Sequence, residues 1–395
     1  MVGRVPKNAS ELGLNFMRLA IIGSNYINID KNSRKGTEIF TYSLIQSLAT
    51  HAKANSLKIT AFASGKSKLP VPIESIDYLP SNSYKNIHEY NKHFIFELAL
   101  ISKAISREKE FEVYHMNIGD GDLILPFAQF VSKPIVITLH RIIDEEYTRK
   151  YFSLFQENKN VHFISISNYQ RKILPHINYL TTIYHGIDTS VFQFHATGGN
   201  IIMWAGRAIP SKGPDVVIET ATQMKKETVL YGISKPEHKQ WLYENILKKI
   251  ETNPSIHFIT DKNRYELIPF FQTSKLFLFP TTEEHFGLVL IEAMSCGTPV
   301  VAYGVGSIPE IVKDGVTGFI VNSSDKEIQG DWIIKKTGIE GLKEAVEKIY
   351  AMSEKEYLAM RKACRDHVEK NFRIQRMAQQ YIETYKKVIA LNQQS

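Results

Sequence analysis

Along this chain, short β-branched and aromatic runs alternate with amphipathic stretches of helical period. Arg18 opens the run RLAIIGS, a polar loop leads to Gly36, and EIFTYSLIQSLATHA then repeats apolar residues at helical spacing. A strand, a loop and a helix are predicted. Runs of the same kind recur as SLKITAFAS, VYHMN, PIVITLH, VHFISIS followed by NYQRKILPH, and TTIYHG. Apolar strands interleaved with amphipathic runs predict an α/β fold with a parallel sheet covered by helices. Ser167 and Gln170 have the spacing of a capping box at the start of one such helix.

The pattern restarts after HGIDTSVFQFHATGGN with IIMWAGR and continues through ETVLYGI, SIHFIT, KLFLFP, TPVVAYG and TGFIV. Two Rossmann-like, doubly wound halves are therefore expected, meeting near residues 188–200. The predicted domains are 1–190 and 191–372. The last helical stretch, within 373–395, has no strand after it. Ligands of such sheets bind at the carboxyl ends of the strands, which places the expected site in a cleft between the two halves. The segment 322–338 reads as a loop with at most one short strand.

Length and composition agree with two cores, since the chain has 395 residues and is 43% hydrophobic. It contains no uncharged apolar run of membrane-spanning length, and MVGRVPKNASELGLNF lacks the apolar centre of a signal peptide. A cytoplasmic protein is expected. Cys296 and Cys364 stand far apart and have no histidine at metal-ligand spacing, so they read as buried small residues rather than a disulfide or zinc site. The formal charge is +7, of which +5 falls on residues 1–190. That excess suits nucleic acid, an anionic membrane surface or phosphorylated substrates. No basic cluster interleaved with aromatics and no nucleic-acid module is present, so nucleic acid is not an expected partner. Between Lys85 and Lys109, apolar Phe94, Ile95, Phe96, Leu98, Leu100 and Ile101 mix with cations. Such a helix is either core-facing or able to lie on an anionic membrane.

Four constellations carry chemistry. EHFGLVLIE sets Glu284 and Glu292 eight positions apart around a Phe-Gly turn that opens a helix-like run. A helix N-terminus there offers N–H groups and partial positive charge to an anion. AGRAIPSKG, at the end of the first strand of the second half, places Arg207 and Lys212 where both can reach one diphosphate, a planar fork and a mobile point charge. Gly36 and Thr37 open the first helix, where a glycine lets backbone approach a phosphate and Lys35 adds charge. His140 ends PIVITLH, at the carboxyl end of a predicted strand, in position to hydrogen-bond a sugar hydroxyl or carry a proton.

Taken with TPVVAYGVGSIPEIVKDGVTGFIV, these motifs resemble the donor-sugar signature of the retaining glycosyltransferases of family 4, also called glycosyl transferases group 1. That resemblance implies the two-Rossmann GT-B fold, with an acceptor-binding first domain, a donor-binding second domain and a C-terminal helix crossing back to the first. It also implies roles. Glu284 would bind hydroxyls of the transferred sugar and Glu292 those of the ribose. Backbone groups of Phe286, Gly287, Leu288 and Val289 would hold sugar and phosphate, and Ile259 and Thr260 would meet the base. His140, Arg207, Lys212 and Glu284 form the expected catalytic set, with Gly36 and Thr37 as further donor contacts. The chain departs from the family pattern at Lys35, where a second glycine is usual, at Arg141, where an acid is usual, and at His185, where Asn is common. His185 is read as part of the turn between domains, and His115 in VYHMN as structural.

The implied activity is transfer of a sugar from a nucleoside diphosphate, UDP favoured and GDP next, to an acceptor hydroxyl with retention. The nucleotide sugar is the co-substrate, and no metal or other cofactor is expected. An epimerase of the same fold, a pyridoxal-phosphate phosphorylase and a non-catalytic sugar-nucleotide binding protein are the alternatives. Two decoys fail: Asp120-Gly-Asp122 resembles a metal motif of a different glycosyltransferase fold, and SGKS at 64–67 lacks the upstream glycine of a phosphate loop, Thr60 standing in its place.

Overall fold

The structure is a computed structural model and describes residues 16–90, 92–119, 121–141, 146–234, 236–260 and 262–394. The chain forms two compact units, unit 1 comprising Met1–Ile166, Arg171–Ile183 and Met377–Ser395, and unit 2 comprising Ser167–Gln170 and Tyr184–Arg376.

Unit 1 is built on a parallel sheet. Its strands are β1 (Met17–Ile22), β2 (Leu57–Phe62), β3 (Ile73–Glu74), β4 (Val113–Met116), β5 (Ile135–Leu139), β6 (Val161–Ser165) and β7 (Tyr179–Thr182), in the order β3-β2-β1-β4-β5-β6-β7. Unit 2 repeats the plan with β8 (Ile201–Arg207), β9 (Thr228–Ile233), β10 (Ile256–Ile259), β11 (Ser274–Phe279), β12 (Val300–Tyr303) and β13 (Gly318–Val321), in the order β10-β9-β8-β11-β12-β13. Central strands are apolar on both faces because helices cover both. Leu19, Ile21, Val113, Ile135 and Ile137 are fully buried in unit 1, and Ile202, Phe277, Leu278 and Val300 in unit 2. The strand order reverses between β1 and β4 and again between β8 and β11, and these switch points are where doubly wound sheets take ligands.

Most predicted elements form where the pattern puts them, and the exceptions have local causes. TTIYHG is not the strand itself. The strand ends at Thr182, and His185 instead lies edge-on to the Phe286 ring at 4.8 Å. β3 is only two residues long and leaves no periodic trace. The segment 322–338 contains no strand among the described residues. Asn322 organises it, its amide donating to the Gly330 carbonyl at 2.9 Å and accepting from the Gln329 N–H at 2.8 Å. Ser167 does cap the helix Asn168–Ile173, its hydroxyl accepting from the Gln170 N–H at 3.2 Å.

The last helix spans Ile374–Gln394, and Tyr381 and Tyr385 on it are fully buried in unit 1. His115 Nδ1 meets the Tyr385 hydroxyl at 2.7 Å and its Nε2 the Thr138 hydroxyl at 2.8 Å. Both ring nitrogens are thus engaged in packing, as a structural histidine requires. In unit 2, Arg361 is fully buried and donates to the carbonyls of His195 at 2.8 Å, Gln272 at 3.0 Å and Cys296 at 3.2 Å, fastening the helix Glu354–Asn371 beneath the sheet. Cys296 and Cys364 are buried free thiols. Among the described residues no helix is long and apolar enough to cross a membrane.

Candidate functional site

The carboxyl ends of β8 and β11 gather the two strongest motifs within unit 2. β8 ends at exposed Arg207, and a 3-10 turn, Pro210–Lys212, follows. That turn is held to the segment after β11 by main-chain contacts. The Thr282 N–H donates to the Ser211 carbonyl at 2.9 Å, and so does the Thr281 hydroxyl at 2.7 Å. The Trp204 indole donates to the Lys212 carbonyl at 3.0 Å. Lys212 is consequently buried, and its ammonium donates to the Glu283 carbonyl and, at 3.2 Å, to Glu284 Oε2. Two of the three N–H bonds of that ammonium are engaged, which leaves one for an incoming anion.

Glu284 is fixed from every side. Its Oε1 accepts from the His285 N–H at 3.0 Å and the Phe286 N–H at 3.3 Å, while its carbonyl accepts from the Ser307 N–H at 3.2 Å. Gly306, at φ +59°, lies so close that a Cβ there would sit 2.1 Å from the Glu284 carbonyl oxygen. Gly287, at φ +92°, makes the turn into the helix Leu288–Ser295, whose first turn has no side-chain cap. The Phe286 N–H is therefore used inside the protein, whereas the positive end of the helix at Gly287, Leu288 and Val289 suits an anion. Glu292, on the second turn, is buried and ion-paired with Arg264. Burial pushes the Glu292 carboxyl up, and the Arg264 charge opposes that shift. Ile259 ends β10 and Thr260 follows it on the surface.

Three participants had no predicted role. His285 lies within the motif, and burial pushes its imidazole down while Glu284 and Glu283 oppose this and the charges of Lys212 and Arg207 add to it. Arg264 and the Gly306-Ser307 wrap carry no local signal because their partners are distant in sequence.

In unit 1, His140 directly follows β5, and Gly36 and Thr37 come after the loop that leaves β1. Gly36 and Thr37 open the helix Gly36–His51, which has no side-chain cap. A Cβ on Gly36 would meet nothing within 4 Å, so the glycine is not sterically demanded there. Lys35 places its ammonium 3.8 Å from the Tyr26 ring centroid. His140 is half-buried, with Nε2 3.2 Å from the Asn117 Oδ1 and its ring edge-on to Phe40 at 4.7 Å. Burial pushes its imidazole down to about 3, so it is neutral at physiological pH. Unit 1 also buries polar groups that carry no sequence motif. The Asn25 amide, Asn117 Nδ2 and Glu38 Oε2 are buried with no hydrogen-bond partner among the described residues. Glu97 holds the loop after β1, accepting from the Asn25 N–H at 2.9 Å, the Tyr26 N–H at 3.0 Å and the Ser24 hydroxyl at 3.0 Å, and burial raises it to about 7.

The decoys resolve simply. In SGKS the Gly65 and Lys66 N–H groups are bonded to the Asp77 and Tyr78 carbonyls, so the turn has no nest for phosphate. Asp122 caps its own neighbour Leu123 at 3.0 Å, and Asp120 lies outside the described residues. Among the described residues no group of three His, Cys, Asp or Glu side chains could hold a metal ion.

Residues 188–336 match the family model described as glycosyl transferases group 1. Its curated relatives include the D-inositol 3-phosphate glycosyltransferase of Mycobacterium sp. strain KMS, 32% identical over 139 residues, which are 33% of this chain and 30% of the relative. The enzyme of the same name from Mycobacterium leprae strain Br4923 is 34% identical over 130 residues, 31% of this chain and 29% of that one. The chain thus matches under a third of the length of these relatives. Solved structures extend the likeness over the whole fold. Sucrose-phosphate synthase from Thermosynechococcus elongatus superposes with a TM-score of 0.73 at 18% identity, covering 95% of this chain and 100% of that one. HepE of Anabaena, crystallised with UDP and glucose, superposes with a TM-score of 0.70 at 17% identity, covering 94% and 100%. The fold is that of the two-Rossmann GT-B class.

His115 and His140 are both held neutral, near 3, against an ordinary value of 6.5. As pH falls below 6.5 the unfolded chain takes up protons that the folded chain refuses, so stability is lost by up to about 1.4 kcal/mol per pH unit per histidine. Denaturant titrations between pH 7 and 4 are expected to give a shallower acid decline for His140→Gln than for the wild type. An unchanged slope would contradict the neutral assignment of His140.

Proposed function

We propose that the protein is a glycosyltransferase that moves a sugar from a nucleoside diphosphate, UDP by preference, to an acceptor hydroxyl with retention of anomeric configuration. One observation carries this reading: the Lys212 ammonium held against the Glu284 carboxylate, beside an uncapped helix N-terminus and the end of the strand bearing Arg207. A diphosphate leaving group needs cations and aligned N–H donors, and a sugar needs a fixed carboxylate for its hydroxyls. Unit 2 has both within one loop-helix segment. The family match of this segment and the UDP and glucose bound by HepE support the assignment.

In the proposed mechanism Lys212, Arg207 and the N–H groups at Leu288 and Val289 stabilise the departing diphosphate, the dominant electrostatic contribution. Its leaving oxygen takes the proton of the acceptor hydroxyl as the new glycosidic bond forms on the same face. This charge supply makes a metal ion unnecessary. Glu284 orients the sugar and Glu292 the ribose. His140, neutral, contributes a hydrogen bond rather than a charge. The acceptor is proposed to be a polyol engaged by unit 1, whose buried Asn25, Asn117 and Glu38 side chains keep donor and acceptor capacity. The inositol phosphate in the names of the curated relatives supports that class.

Incubation with UDP-, GDP-, ADP- and dTDP-sugars and inositol phosphate, with products read by the anomeric proton coupling in NMR, tests this directly. A glycoside of the donor's own anomeric configuration is expected, with transfer cut by about 100-fold or more in Glu284→Gln and Lys212→Ala variants that remain folded by circular dichroism. Conversion of the donor to an epimer without acceptor, or full activity in both variants, would overturn it. On the same reading unit 1 touches an anionic membrane through Phe94 and Ile95, each 48% exposed near Lys85 and Lys92. Sedimentation with phosphatidylglycerol vesicles should fall at high salt and with Phe94→Ser/Ile95→Ser; co-sedimentation equal to that with neutral vesicles would refute the contact.

A further inference from the structure

Arg264 connects two parts of unit 2 that the family resemblance assigns to different portions of the nucleotide. It opens a short 3-10 turn, Arg264–Leu267, that follows β10 and the base contacts the resemblance implies at Ile259 and Thr260. Asn263 caps that turn, its side chain accepting from the Tyr265 N–H at 2.9 Å and the Glu266 N–H at 3.2 Å, while Glu266 returns the contact to the Asn263 N–H at 2.8 Å. The position of Arg264 is therefore set by its own segment rather than by the helix it reaches.

Its guanidinium donates through Nη2 to Glu292 Oε1, with the side chains only 14% and 7% exposed. The planar group lies 5.2 Å from the Phe192 ring centroid and 5.6 Å from that of Tyr265, which restricts how it can swing. Its Nε is buried and has no hydrogen-bond partner among the described residues, so the fork is not saturated by Glu292. A carboxylate this deeply buried takes up a proton unless a cation opposes it. The ionised form accepts from neighbouring hydroxyls on both oxygens and with the added strength of its charge, whereas a protonated carboxyl turns one oxygen into a donor and loses that charge assistance.

We infer that Arg264 is a positioning and specificity-determining residue for the ribose, holding Glu292 as a carboxylate that accepts the ribose hydroxyls and tying the base-contact segment to the ribose-contact helix. The inference rests on the proposed ribose role of Glu292. A merely structural ion pair would fasten the turn to the helix without altering which nucleotide is preferred. A positioning role ties the preference for ribose over deoxyribose to the Arg264 charge.

Calorimetric titration with UDP and 2′-deoxy-UDP separates the two, or with the GDP pair if GDP is the nucleotide bound. The wild type is expected to prefer the ribonucleotide by roughly 10- to 100-fold, the worth of a hydrogen bond to a charged group. In Arg264→Gln that preference should collapse to within about threefold near neutral pH and return in part as pH rises and Glu292 ionises again, with Arg264→Lys intermediate. A folded Arg264→Gln protein that keeps the wild-type preference at every pH overturns the inference and leaves the ribose reading standing. If Arg264→Gln does not fold, the same ratio in Arg264→Lys decides: a reduced preference supports the role and an unchanged one overturns it. A wild type without preference, or a Glu292→Gln variant that keeps it, sinks the ribose reading itself.

Discussion

The ammonium of Lys212, held between the Glu283 carbonyl and the Glu284 carboxylate, is the contact on which the organisation of unit 2 depends. A lysine so far from water is costly unless its charge is met, and removing one member of such a buried pair typically costs about 3–5 kcal/mol. The surrounding structure is arranged to keep the pair intact. Trp204 fixes the Lys212 backbone, Thr281 and Thr282 fasten the turn before it, and the Gly306-Ser307 wrap closes over the Glu284 carbonyl.

The same arithmetic of buried charge recurs one helical turn later. Glu292 is matched by Arg264, so the helix Leu288–Ser295 carries one paired acid just before its start and a second on its buried face. Between them lie the uncapped N–H groups of its first turn. Two fixed carboxylates thus flank a positive helix end, the charge pattern on which the proposed nucleoside diphosphate sugar donor rests.

Much of this was legible in the chain. The order of strands and helices followed from β-branched runs alternating with helical periods, since parallel strands buried on both faces must be apolar throughout. Glu284, Glu292, Arg207 and Lys212 were marked as candidates by their spacing and by the family resemblance, because turn, helix start and strand end are local features. What escaped was set by contacts distant in sequence. Arg264 lies 28 residues from Glu292, and the Ser307 hydroxyl that reaches the Phe286 carbonyl comes from 21 residues away. Asn25, Asn117 and Glu38, buried in unit 1, come from three separate segments and carry no motif. Gly36 was expected for close approach to a phosphate, yet the structure leaves open space around it, so helix-end N–H groups rather than the missing side chain are what that position offers.

The central claim is that the Lys212–Glu284 corner is a diphosphate site, and a calorimetric comparison of uridine, UMP and UDP tests it most directly. UDP is predicted to bind at least about tenfold more tightly than UMP, with the gain weakened by salt and lost in Lys212→Met. Equal binding of UMP and UDP, or a second-phosphate gain that survives Lys212→Met in a folded protein, would contradict the account.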